Sequence, residues 1–84
     1  MDDSTNESLF DHAMARYQSG EDASDLIKDF QIITTSSPNQ SAGWTCLSWL
    51  QLLCNDNNNA LRSARIAVKL SPQDPQSRIN LTIA

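Results

Sequence analysis

Few side chains in this chain could do chemistry, and their types and spacing set narrow limits on it. His12 is the only histidine. No Cys or Ser is spaced so that His12 could act as the base of a nucleophile, and it reads as a solvated helix residue. Cys46 and Cys54 stand eight positions apart on one expected helix. At about 1.5 Å of rise per residue they are roughly 12 Å apart, beyond the Cα reach of a disulfide at about 7 Å. Both read as reduced, buried small hydrophobes. Two thiols so placed do not form a CxxC-type metal arrangement. Asp22, Asp25 and Asp29 fall on one helical stripe and, with Glu21, suit a helix N-terminus through its dipole. Arg62, Arg65 and Lys69, at i, i+3 and i+7, make a basic stripe expected to face water or the acidic helix that carries those carboxylates. The reading is of a protein that is not an enzyme and uses no cofactor and no metal.

Composition narrows the partners. Ten Asp and Glu against six Lys and Arg give a net charge of -4 over 84 residues, and no basic stripe is long enough to track a phosphate backbone, so nucleic acid is excluded as a partner. No apolar run approaches the roughly 18 residues a membrane span needs. The acidic, polar stretch Met1 to Ser8 is the opposite of a secretory signal. With reduced cysteines, this points to a cytoplasmic location, where the sequons at Asn6, Asn39 and Asn80 are chance matches. Scarce glycine and 39% hydrophobic residues suit compact helices of modest total stability.

Helices must therefore position whatever acts. One is expected from about Asn6 to Gln18, with Ser4 or Thr5 as N-cap and Gly20 as a left-handed stop. A second runs from Glu21 to Thr35, with Leu26, Ile27, Phe30 and Ile33 at helical spacing and Pro38 beyond its end. Ile32 to Thr35 favour strand by propensity, but their place at the end of this helix overrides that. A third spans about Gln40 to Cys54, and the turn Asn55 to Asn59 supplies a C-cap and the next N-cap. A fourth covers Asn58 to Leu70, and Asp74-Pro75 opens a fifth. Pro38 recurs as Pro72 and Phe10 as Trp44, each 34 residues on, which marks a stacked helical repeat.

Within that period Trp44, Leu47, Ser48, Ala60, Ala64, Ala67 and Pro72 follow one another in order, and Phe10, Ala13, Met14, Tyr17, Leu26, Phe30, Ile33 and Pro38 form an earlier copy. The pattern resembles the tetratricopeptide repeat (TPR) family. Ala64 and Gln51 depart from it, and Phe30 and Tyr17 supply the bulk at those places in the first copy. The resemblance implies an all-α solenoid of about five antiparallel helices. It has an acidic N-terminal stretch over residues 1–6, repeats at 7–40 and 41–74, and a partial third at 75–84.

It also implies a concave groove lined by the first helix of each repeat. In this numbering the lining is Ala42, Thr45, Trp49 and Leu52 with Leu53 at the rim, then Gln76, Ile79 and Ile83, and earlier Ser8, Asp11, Ala15 and Gln18. Trp49 stands out, because Trp44 already fills the aromatic place and Trp is enriched at interface hot spots. The partner-binding set is Thr45, Trp49, Leu52, Leu53, Ile79 and Ile83. Family members that hold chaperone tails use a cationic carboxylate clamp, whereas Asp11, Ala15, Cys46, Gln76 and Asn80 occupy those places here, so that ligand is not expected. An apolar or basic protein segment suits the acidic groove entrance of Asp2, Asp3, Glu7 and Asp11. The resemblance thus implies a protein-interaction module, as an adaptor or assembly factor. The other reading is a structural domain that forms a homodimer through an uncapped C-terminal helix.

Overall fold

The computed structural model describes residues 11–73 and 75–83, with the side-chain surroundings of residues 75–77 left aside. Every regular element among these is helical: α1 over residues 11–18, α2 Ala23–Ser36, α3 Ser41–Leu53, α4 Asn57–Leu70 and α5 Pro75–Ile83. The expected caps Ser4 and Thr5, the aromatic Phe10, and Asp74 lie outside the described residues.

The turns follow from local chemistry. Gly20 takes φ +105°, and the Glu21 and Gly20 N–H groups donate to the carbonyls of Arg16 (3.1 Å) and Tyr17 (3.1 Å). This pair of bonds closes a helix C-terminus around a left-handed residue. Asn55 does the same after α3 with φ 61°, where the N–H groups of Asp56 and Asn55 donate to Gln51 (2.9 Å) and Leu52 (3.1 Å). Asp56 occupies the N-cap of α4, but its carboxylate accepts from the Asn59 side chain at 2.8 Å and caps no backbone N–H. The starts Ala23 and Asn57, the ends Ser36 and Leu70, and the starts Ser41 and Pro75 are each 34 residues apart. Ile32 to Thr35 are helical, so position and packing override their strand propensity here.

Consecutive helices pack on one another, and α3 also meets α5. The core gathers Ala13 from α1, Leu26 and Phe30 from α2, and Cys46, Leu47 and Leu50 from α3. Gly43 allows the close approach of α2, since a Cβ there would stand 3.2 Å from Ile33 Cγ2. Against α4 the packing residues are small: Ala60, Ser63, Ala64 and Ala67 are all buried. Helix α3 is buried at eight of its 13 positions, including Thr45, Ser48 and Gln51. An all-round apolar helix demands such a central place.

One expectation is corrected. Both thiols are free, and Cys46 is buried, but Cys54 is exposed because α3 ends one residue before it. Of the two settings expected for the basic stripe of α4, it takes the first: Arg62, Arg65 and Lys69 are exposed to water, and α2 and α4 do not touch, with α3 packed against both.

Candidate interaction face

The six singled-out residues have different surroundings. Thr45 is only 3% exposed. Its carbonyl accepts from the Ser48 hydroxyl at 2.8 Å and from Asn80 Nδ2 at 3.1 Å, and the same Asn80 amide donates to Ser48 Oγ at 2.8 Å. Asn80 is itself buried on α5. Helix α5 therefore closes over Thr45, which does not stand open to solvent. Ala42 is likewise buried. A buried amide costs free energy unless its donors are used, so this cluster fixes the seating of α5 on α3.

Trp49 lies four residues on from Thr45 and is partly buried against the core. Its indole meets the ring of Tyr17 edge-on, with centroids 5.7 Å apart and planes at 77°. Aromatic pairs favour this geometry because a ring's positive edge meets its neighbour's negative face. The stripe on α3 is thus covered from both sides, by α5 at Thr45 and by α1 at Trp49. Leu52 is half-buried and Leu53 is 38% exposed at the end of α3. On α5, Ile79 is 51% exposed and Ile83 65%. They stand one before and three after Asn80, so they border the α3–α5 contact. Asp11, Ala15 and Gln18 are exposed on α1. Ser8, Asp2, Asp3 and Glu7 fall outside the described residues, as does the side chain of Gln76.

Sequence spacing did not foretell an ionic cluster at the start of α2. Arg16 Nε donates to Glu21 at 2.7 Å, and its Nη2 reaches Glu21 at 3.0 Å and Asp29 Oδ2 at 3.0 Å. The guanidinium is held charged more firmly than usual, chiefly by its hydrogen bond to Glu21 and then by that to Asp29. The hydrogen bond from Arg16 also lowers the Glu21 carboxyl below its ordinary value. One opposite-charge partner five residues away is a weak signal in a sequence, and the turn at Gly20 is what brings it round.

Trp44 donates its indole N–H to the carbonyl of Pro38 at 2.9 Å, which ties the α2–α3 connection to α3. His12 is exposed on α1. Among the described residues no group of three or more His, Cys, Asp or Glu side chains could hold a metal ion. No helix among them is long and apolar enough to cross a membrane. A shallow depression lined by Lys28, Gln31, Ile32, Thr35 and Ser36 lies on the outer face of α2 alone, with no second element converging on it. No known protein-family model matches the chain, and neither does the sequence of any curated protein.

Proposed function

We propose that this chain is a TPR-like protein-interaction module that holds a segment of another protein along Trp49, Leu52, Leu53, Ile79 and Ile83, with Thr45 and Asn80 forming the floor beneath. The observation that carries this reading is the exposure of Ile79 and Ile83, 51% and 65%, beside a buried polar seat that fixes their helix. Large apolar side chains held on a rigid element suit partner binding. The 34-residue offset between helix boundaries supports the repeat assignment. The acidic balance of the chain favours an apolar or basic segment as ligand, in the role of an adaptor or assembly factor. The free thiols Cys46 and Cys54 fit a cytoplasmic setting.

The test is affinity capture from native extract with the wild type and with Ile79→Ser/Ile83→Ser. These side chains are exposed, so the double variant keeps the melting curve and loses the captured partner. Equal capture by both proteins would overturn the assignment of this face. The same exposed pair also supports a homodimer through α5, and solution mass of the two proteins separates the readings: a mass that Ile79→Ser/Ile83→Ser does not lower leaves the groove reading alone.

A further inference from the structure

Charge is unevenly spread along this chain. Residues 1–40 hold eight carboxylates against two cations, a net -6, while residues 41–84 hold four cations against two carboxylates, a net +2. The fold keeps parts of this imbalance apart. On α2 and its N-cap, Asp22, Asp25 and Asp29 stand at i, i+3 and i+7, and the exposed Ile32 continues the stripe one turn later. Arg16 takes one oxygen of Asp29, whereas Asp22 and Asp25 are exposed and make no ion pair within the described residues. Lys28 flanks this stripe without reversing its sign.

On α4, Arg62, Arg65 and Lys69 have the same i, i+3, i+7 spacing, are all exposed, and make no ion pair within the described residues. Half-buried Leu61 and Ile66 border them. Because α2 and α4 do not touch and α3 packs against both, the two stripes cannot neutralise one another inside one molecule.

We propose that copies of this chain associate head to tail, with the acidic stripe of α2 in one copy against the basic stripe of α4 in the next. The outer members of each stripe are seven residues apart, about 10 Å of helix rise, so two helices laid side by side bring the charges opposite one another in either direction. Each stripe has its complement, at matching spacing, on the same chain, and that selects a second copy as the occupant. The contact uses different surfaces on the two molecules, so it is heterologous and leaves a free head and a free tail to continue a ring or filament. Exposed pairs are individually weak and are screened by salt, so Ile32, Leu61 and Ile66 supply the contact area and the charges set the orientation.

Sedimentation of the whole chain tests this without any partner segment, so its failure leaves the groove reading untouched. At about 10 mM salt, where screening acts only beyond roughly 30 Å, the wild-type average mass should rise with concentration to at least twice the 9.3 kDa of one chain. It should return to that value at about 0.5 M salt, where the screening length is a few ångströms. Arg62→Glu/Arg65→Glu/Lys69→Glu should stay monomeric alone, as should Asp22→Lys/Asp25→Lys. An equimolar mixture of the two should recover the rise, because each then offers what the other lacks. If Asp22→Lys/Asp25→Lys loses its helical signal, Asp22→Asn/Asp25→Asn replaces it, with association weakened at least several-fold. A wild type that is monomeric throughout, a mixture that fails to associate, or a salt-insensitive mass rise abolished by Ile79→Ser/Ile83→Ser would each overturn the proposal.

Discussion

The first helical hairpin and the second share their spacing and differ in what fills them. Between α1, α2 and α3 the chain buries Leu26 and Phe30 against Ala13, Cys46, Leu47 and Leu50. Thirty-four residues later the same two positions are Ala60 and Ala64, both fully buried. There Ser63 donates its hydroxyl to the Gln51 side chain at 2.8 Å, adding a polar tie between α4 and α3. One interface gains stability from apolar area, the other from close approach and hydrogen bonds. Similar helix positions therefore do not imply similar tolerance of volume.

The sharpest way to break this contrast is to remove volume from the first hairpin. Phe30→Ala should cost about 3–5 kcal/mol, a large share of the roughly 4–12 kcal/mol that a domain of this size has available. Urea denaturation should show it as a much lower midpoint. Adding volume to the second is the converse: Ala64→Leu should destabilise by about 1–3 kcal/mol through overpacking, although the TPR pattern favours a bulky residue there. Because α2 and α4 share no contact, the two losses should nearly add in the double variant, and a double variant more stable than Phe30→Ala alone would break the picture of two separate interfaces.

A more local effect should follow from Asn80→Ala, which removes both donors to Thr45 and Ser48. The cost of about 1–3 kcal/mol should appear in hydrogen exchange as faster amides in α5, with α2 protection unchanged. The smallest effect concerns the Arg16 cluster. The Glu21 carboxyl lies below its ordinary value, so its contribution is present above the unfolded carboxylate range and is lost as pH falls through the folded value. An NMR titration of Glu21 should show the depressed midpoint, and Arg16→Gln should restore the ordinary one. The pair is largely exposed, so the melting temperature should hardly move.

Much of the fold could be read from the residues, and the site only in part. Hydrophobic spacing and turn chemistry place the bounds of α2, α3 and α4 and the start of α5 to within about two residues, because Gly20 and the Asn55-Asp56 pair encode their turns locally. The exposure of Cys54 is not legible in spacing, because one residue of helix end separates a buried face from solvent. Thr45 and Asn80 illustrate the harder limit. Periodicity tells which face of a helix a residue occupies, but not whether a helix more than 30 positions away will close over that face. The Tyr17–Trp49 contact likewise depends on how α1 crosses α3, an angle that no local signal specifies.

That contact has an optical consequence. Tyr17 is the only tyrosine in the chain, and its ring lies 5.7 Å from an indole that can accept its excitation energy. Phenol emission should be weak while α1 is docked and should rise when α1 moves well away from α3, which carries both indoles. The native chain thus carries its own fluorescent gauge of one joint, readable without dyes or labels.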